Sequence, residues 1–573
     1  MRPTARQNTN NRSGTISTSR TFMTDIVRIR MLQMDSIVGD FESNLDKLSG
    51  AAAKARIDGI IILVAPELAL TGYPPEDLLL RPAFLDKLES AERTLCEISR
   101  GITLLVGSPS LTPNEFNNST EGKQSAQPAS LFNSLLVFCD GRKICSYHKQ
   151  SLPNYKVFDE RRYFAAGEGS VVYELEGLKI GLLICEDIWI QEIFEETCRR
   201  NVDLIFVVNA SPFAENKIKE RHRLLSDRSK LNQIPIAYVN LVGGQDELVF
   251  DGGSFATNRF GEIVSQAEFF VEDTLDLSWD GQDLVTGRLE PIPEKDELLY
   301  QALVTGVRDY FKKTGFSKAL LGLSGGIDSA LTLAVAVDAL GAENVHAIMM
   351  PYLYTADISV IDAKRQAETL SCEFSISPIE PIVREFSQIL SPFFEGYSVN
   401  TTEENLQSRC RAVLLMALSN KTHALVLTTG NKSEMAVGYA TLYGDMAGGF
   451  SVLKDVWKTR VYDLARHVNR KDEVIPERVI IRPPSAELAP GQEDADSLPP
   501  YDRLDKILVL YIESDLSPSD IIDSGYQEEE VRRMCHLVDT NEYKRRQSAV
   551  GPRVTTRGFG RDRRYPIANR WSS

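Results

Sequence analysis

From Val27 onward, short apolar runs alternate with longer stretches at helical spacing. The first half carries "VRIRMLQM", "GIIILVAPE", "ITLLVGSPS", "SLLVFCDGRK", "GLKIGLLICED", "VDLIFVVNAS", "PIAYVNLVGG" and "DGGSFATN". Several of these are continuously apolar rather than alternating, the mark of strands covered on both faces, so a layered α/β domain is predicted there. The polar, Pro-rich "RLEPIPEKDE" interrupts the pattern, and "KALLGLSGG", "NVHAIMMPY" and "HALVLTTGNKSE" then begin a second series. A βα alternation of this kind predicts a doubly wound parallel sheet with ligands at the carboxyl ends of its strands. The expected organisation is an extension over residues 1–24, a first domain over 25–288, a linker over 289–297 and a second domain over 298–573.

Composition narrows the class. At 573 residues the chain exceeds one ordinary core, and its 43% apolar and 25% charged residues are those of a globular protein. No apolar segment approaches the ~18 residues of a membrane span, so the chain is expected neither to span nor to anchor. A net charge of −16 argues against a large nucleic-acid footprint, which needs clustered Lys and Arg. The C-terminal "EYKRRQSAVGPRVTTRGFGRDRRYPIANR" is locally basic, and Arg545 and Arg546 within it suit an anionic small molecule or a subunit partner. The eight cysteines form no CxxC and read as reduced thiols of a cytoplasmic protein. Residues 1–24 hold four arginines and no acid, which fits both a plain disordered extension, the favoured reading, and an organelle transit peptide.

Three reactive side chains fall at the ends of predicted strands: Glu67 after "IIILVAPE", Lys149 in "CSYHKQSLPNY" and Cys185 in "LLICED". A cysteine nucleophile acts as thiolate, which an ammonium stabilises while a carboxylate takes the proton. Breaking an amide through a thioester needs those parts, with the same carboxylate activating water and the lysine polarising the oxyanion. Pattern alone leaves open a capping glutamate, a surface lysine and a buried structural thiol. A Cys–His mechanism is disfavoured, because His148 neighbours Lys149 and points to the other face of a strand.

In the second half, "SGGIDS" follows a predicted strand and opens a helix. Ser324, Gly325 and Gly326 there bring unobstructed backbone N–H groups to a helix start, a cradle for anions in which a Cβ would keep a phosphate away. Asp328 cannot greet phosphate directly, so its presence implies Mg²⁺ between the two. "LVLTTGNKSEMAVGYATLYGDMAGGF" supplies Thr429, Lys432, Glu434 and Asp445, with Glu434 as either the second metal carboxylate or an acid at a helix start. Lys458 in "DVWKTR" is a candidate for neutralising pyrophosphate, or a solvated surface lysine.

"PELALTGYPPEDLL", "HKQSLPNYKVFDERRYF" and "LLICEDIW" resemble, in order, the Glu, Lys and Cys motifs of the nitrilase (carbon-nitrogen hydrolase) superfamily. "SGGIDS" resembles the pyrophosphate loop of the N-type ATP pyrophosphatases. With "TEENLQSRCRAVLLMALSNK", "PSAELAPGQEDADSLPPYDRLDKIL" and "EYKRRQ…FGRDRRYPI", the likeness runs from about residue 27 to the C-terminus and is to the glutamine-dependent NAD synthetase family. The resemblance implies a nitrilase-type α-β-β-α sandwich followed by a Rossmann-like doubly wound sheet of the adenine nucleotide alpha hydrolase type. It makes Glu67 the general base, Lys149 the stabiliser of thiolate and oxyanion, and Cys185 the nucleophile, with Tyr73, Tyr155, Glu160, Ser211 and Lys217 around glutamine.

The same resemblance assigns Ser324, Gly325, Gly326, Ile327, Asp328, Ser329 and Thr429 to ATP, and Asn405, Arg409, Glu434 and Lys544 to deamido-NAD. Lys432, Asp445 and Lys458 complete that site, and Asp328 and Glu434 hold Mg²⁺. Glutamine, ATP and deamido-NAD are the implied substrates, a sheltered ammonia channel links the sites, and a homo-oligomer forms through the synthetase domain; no nucleic acid and no membrane is involved. The sequence departs from its relatives at Lys156, where Gly is common, and at Tyr352 and Ala356, where Ser is common. An asparagine- or GMP-synthetase-like amidotransferase also pairs this loop with glutamine, but neither Met1 nor Met23 precedes a Cys and the amidase motifs are nitrilase-like.

Overall fold

The computed structural model describes residues 15–18, 26–111 and 130–571. The expectation of a tail or transit peptide at residues 1–24 therefore lies outside the described residues, apart from a short strand, Thr15–Thr18. The chain divides into two compact units, with the change at Ile292/Pro293 inside the Pro-rich joint. The second unit also takes two short strips of the first half, Phe213–Glu215 and Gly244–Val249, which no shift in composition marks.

The first unit is built on two sheets. One runs in the order Thr15–Thr18, Val172–Leu175, Leu178–Ile184, Leu204–Asn209, Ile236–Asn240, Phe255–Thr257, Ile263–Gln266. The other runs Asp273–Trp279, Val27–Gln33, Ile62–Val64, Thr103–Leu111, Leu131–Cys139, Arg142–His148. Leu204–Asn209 and Ile236–Asn240 are buried at every residue, as their continuous apolar runs require. Val64, Leu105, Leu135 and Tyr147 of one sheet share a core with Leu182, Val207 and Val239 of the other. The helices Phe41–Ile57, Pro82–Ile98, Gln191–Cys198 and Lys217–Asn232 complete the expected sandwich. Asp140 and Gly141 close a hairpin between Leu131–Cys139 and Arg142–His148, both at positive φ (47° and 79°), the conformation a two-residue turn demands.

The second unit has one five-stranded sheet, all of whose pairs are parallel. Its order is Glu373–Ile376, Val345–Met349, Ala319–Gly322, Leu425–Thr428, Phe450–Ser451. The order of strands reverses between Ala319–Gly322 and Leu425–Thr428, successive strands being added on one side before and on the other after, the switch point at which such sheets open a crevice. Both "SGGIDS" and "TTGNKSE" leave the sheet there. Among the described residues no helix is long and apolar enough to cross a membrane.

Candidate active sites

In the first unit, Cys185 ends the buried strand Leu178–Ile184 and turns the chain sharply, at φ 47°, into the single turn Cys185–Ile188. The strained turn lifts the thiol out of the sheet. Lys149 follows the strand Arg142–His148, and its ammonium, fully enclosed, donates to Glu67 Oε1 at 2.7 Å and Glu160 Oε1 at 2.8 Å. Glu67 also accepts from Asn133 Nδ2 (2.8 Å) and from the Ala210 N–H (2.8 Å), and Tyr73 donates to Glu160 Oε1 at 3.0 Å. Asn133, a buried polar residue inside an apolar strand run, was not singled out from the sequence.

Two carboxylates thus share one cation. Burial opposes the charge on Lys149, but Glu160 and Glu67 outweigh it and hold the ammonium protonated well above its usual range. Burial first, and Glu67 second, push the Cys185 thiol up, with Lys149 opposing. Glu160 is pushed up to about 7 by burial, against Lys149 and with Glu67. His148 takes no part: it meets Ser134 Oγ at 2.7 Å, stacks on Phe132, and is pushed down to about 4 by burial and Lys143.

The predicted glutamine residues are placed unevenly. Tyr73 and Glu160 join the catalytic cluster, and half-exposed Tyr155 donates to Glu186 Oε1 at 2.9 Å beside Cys185. Ser211 is buried, its N–H held by Asn240 Oδ1 (2.9 Å) and its carbonyl by the buried Arg221 (3.0 Å). Lys217 lies apart, its ammonium 4.1 Å from the Trp189 ring centroid and 3.1 Å from Glu220. Lys156 has φ 53°, a conformation that favours glycine, which gives the departure at this position a physical cost.

In the second unit a cavity of about 270 Å³ opens at the switch point. It brings together Ser324, Gly326, Ile327, Asp328, Ser329, Thr429, Glu434, Asp445 and Lys458. Gly326 leads into the helix Ile327–Leu340, so the loop presents its N–H groups at a positive helix end. Gly325 is required for another reason than phosphate approach: at φ 80°, a Cβ there would meet the Ser359 carbonyl oxygen at 2.4 Å.

Lys458 is no solvated surface lysine. It is buried, and its Nζ bridges Asp328 Oδ2 (2.5 Å) and Glu434 Oε1 (3.1 Å). Burial opposes the ammonium, but Asp328 and Glu434 raise its pKa above the ordinary lysine value. Glu434 is pushed up to about 7 by burial, with Lys458 opposing and Asp328 adding. Glu434 sits as an acid at a helix start, forming a capping box with Asn431 at the start of the helix Lys432–Val437. Asn431 in turn donates to Asp328 Oδ1 at 2.8 Å. Asn431 and the buried Asp494, which accepts from Tyr501 (2.9 Å) and lines the cavity, escaped the sequence reading because their partners lie far along the chain.

Five other predicted residues do not line this cavity. Lys432 is fully buried among Asp455 (2.8 Å), Glu513 (2.9 Å) and the Trp457 ring, where it holds the fold together. Asn405, Arg409 and Lys544 converge on one loop, bonding Thr441 Oγ1 (2.7 Å), the Leu442 carbonyl (3.2 Å) and the Gly438 carbonyl (2.7 Å). Arg545 is buried on Glu542 (3.0 Å) and the Ala436 carbonyl (2.7 Å), within the unit itself.

The donor set at Asp328 and Glu434 is oxygen-only and already attracts a cation, which fits a hard ion such as Mg²⁺. No group of three or more His, Cys, Asp and Glu side chains suited to a metal occurs among the described residues. A metal here would therefore draw its remaining ligands from water and phosphate, the usual habit of Mg²⁺.

A cysteine at a strained turn, with a lysine held by two carboxylates, in one chain with an α/β sheet whose glycine loop opens a helix, is the arrangement of a two-module amidotransferase with an ATP-dependent synthetase half. Comparison with known proteins agrees. The carbon-nitrogen hydrolase family matches residues 28–285 and the NAD synthase family residues 299–548. A protein of Acinetobacter baylyi named glutamine-dependent NAD(+) synthetase is 48% identical over 95% of this chain and 98% of its own length. A Thermotoga maritima protein of the same name is 42% identical over 95% and 99%. The solved structure of the Acinetobacter baumannii synthetase in complex with adenosine diphosphate has 46% identity and a TM-score of 0.76, covering 95% of this chain and 99% of that one. The chain belongs to the glutamine-dependent NAD(+) synthetase family.

Proposed function

We propose that this enzyme converts deamido-NAD to NAD, taking nitrogen from glutamine and energy from ATP. The enclosed Lys149 ammonium between Glu67 and Glu160, at the Cys185 elbow, is the observation that carries the first half-reaction. Glu67 takes the thiol proton as Cys185 attacks the side-chain amide of glutamine, Lys149 meets the oxyanion, and Glu67 returns the proton to the departing ammonia. Water activated by Glu67 then releases glutamate from the thioester. In the second unit the Ser324–Ser329 loop holds the phosphates of ATP, and the nicotinate carboxylate attacks the α-phosphate, breaking its bond to the β-phosphate and expelling pyrophosphate to leave the acyl adenylate. Asp328 and Glu434 would hold Mg²⁺, which neutralises phosphate charge during that step. Ammonia then displaces AMP from the adenylate to form the amide.

Two further points belong to this reading. A homo-oligomer through the synthetase half is supported by the exposed apolar residues Phe386, Ile389, Phe393 and Val413, which a second copy would cover. Phe393→Glu is expected to shift the protein to a smaller species in sedimentation, and an unchanged mass would remove that face as the interface. A cytoplasmic setting is supported by the eight free thiols.

AMP release measured with glutamine or ammonia, with and without deamido-NAD, tests the whole reaction. Cys185→Ala is expected to abolish glutamine use and keep ammonia-driven NAD formation, whereas Asp328→Ala is expected to stop AMP release while Cys185 still hydrolyses glutamine. Loss of both activities in Cys185→Ala, or AMP release indifferent to deamido-NAD, would count against the reading.

A further inference from the structure

Between the two strands that deliver Cys185 and Lys149 lies a carboxylate to which the reaction above gives no role. Asp187 is fully buried, two residues after the nucleophile. Its Oδ1 accepts the backbone N–H groups of Gln150 (3.1 Å) and Ser151 (2.8 Å), the two residues that follow Lys149. Its Oδ2 accepts the hydroxyl of Tyr147 (2.8 Å), two residues before Lys149, and the N–H of Ile184 (3.2 Å), which directly precedes Cys185. Tyr147 is buried as well, and its oxygen also accepts from Gln150 Nε2 at 3.1 Å.

Four donors, three of them bracketing Lys149 and one adjoining Cys185, therefore end on a single side chain. The ladder does not supply these bonds, because the chain leaves regular strand at both places: Cys185 turns at φ 47°, and after the Lys149 N–H meets the Asn133 carbonyl at 2.8 Å, residues 150–154 lie outside any strand. A strained elbow holds its geometry only when its surroundings over-determine it, and Asp187 is the group that ties this elbow to the lysine's segment. We propose that Asp187 is a positioning residue of the glutaminase half, fixing the thiol of Cys185 in register with the ammonium of Lys149. It touches neither substrate nor the reacting atoms, so its contribution falls on the rate of attack rather than on glutamine affinity. The inference rests on Cys185 being the glutamine-cleaving nucleophile.

Asp187→Asn is the informative change. Its one remaining oxygen, turned toward Gln150 and Ser151, leaves an NH₂ facing the Ile184 N–H, donor against donor, while Tyr147 can reverse its hydroxyl and accept. The variant thus loosens the Cys185 side alone. In the full-length enzyme kcat for glutamine hydrolysis is expected to fall about 10- to 100-fold, as a displacement near 1 Å at a reacting group does. KM for glutamine should stay within about threefold, since uniform binding is untouched.

Alkylation of Cys185 by iodoacetamide at pH 8, followed on its own peptide by mass spectrometry, is expected to slow in parallel. Ammonia-driven NAD formation should be retained. A residue that merely stabilised the fold would lower the melting temperature and leave kcat and alkylation of the folded enzyme alone. Tyr147→Phe removes one of the four bonds with little change in volume and should lower kcat a few-fold without raising KM. If Asp187→Asn does not fold, Tyr147→Phe decides. A kcat within twofold of the parent in the deciding variant overturns the proposal. Failure of the parent enzyme to hydrolyse glutamine would instead overturn the functional reading on which it rests.

Discussion

A thiol held above its ordinary pKa is a poor nucleophile until something takes its proton. Burial and Glu67 both disfavour the Cys185 thiolate, and Lys149 cannot fully offset them because its charge is already shared by two carboxylates. With the thiol held above its ordinary range, little of it is thiolate near neutrality. On the proposed mechanism the proton leaves during attack, with Glu67 as its acceptor. Two outcomes follow: alkylation of resting Cys185 should keep rising with pH beyond 9, with no plateau near neutrality, and Glu67→Gln should lower glutamine hydrolysis by about 10²- to 10⁴-fold. A plateau below pH 7 would instead reveal a preformed thiolate. At this scale the sequence was legible in placement: Glu67, Lys149 and Cys185 each follow a strand read from the sequence. Asn133, Asp187 and Asn431 were not, since a polar side chain inside or just past such a run declares its purpose only through a partner far along the chain.

The "SGGIDS" loop places two neighbouring glycines under different constraints. Gly325 adopts φ 80° with its Cα hydrogens against the Ser359 backbone, while Gly326, at φ −91°, has only Ser324 Oγ within reach of a Cβ, at 3.4 Å. Gly325→Ala combines a left-handed L-residue, worth about 1–2 kcal/mol, with a backbone clash, so a loss of at least ~2 kcal/mol and a melting point lower by about 4–8 °C are expected. Gly326→Ala should leave the melting point nearly unchanged and weaken ATP binding about tenfold, or ~1.4 kcal/mol, by standing the phosphates away from the N–H groups. Titration calorimetry and thermal melts of the pair separate the two roles. Equal stability of Gly325→Ala and the parent would remove the steric argument. The motif announced an anion cradle in the sequence, but which glycine serves the fold and which the ligand depends on Ser359, which no local pattern connects to the loop.

At the scale of the molecule, the alternation of apolar runs foretold both sheets and the switch point. It did not foretell that the second unit is completed by strips from the first half. Glu215 pairs with Lys295 (2.9 Å) and Arg460 (3.2 Å), Glu247 with Arg561 (3.0 Å), and the Gly244 N–H meets the buried Asp309 Oδ2 at 2.7 Å. Val554 and Arg553 of the C-terminal segment bond the backbone of Glu215 (3.1 Å) and Glu247 (2.7 Å). Arg460 sits one turn into the helix that begins with Lys458, so these strips brace an element of the nucleotide site. Cutting the chain at the joint should then cost the second unit more than its own boundary suggests: residues 293–573 expressed alone would leave the Asp309 carboxylate with fewer donors and strip one partner from several ion pairs. A loss on the order of 2–5 kcal/mol is expected from such a partly buried set, which for a unit of this size lowers the melting point by about 5–20 °C. The fragment should still form NAD from ammonia below that temperature, because every residue lining the cavity lies after the joint. Glu215→Ala with Glu247→Ala in the full chain should reproduce part of the loss and none of the glutaminase defect. A fragment that melts with the second transition of the intact chain would show that the strips are passive, and that the visible joint is the true border of the unit.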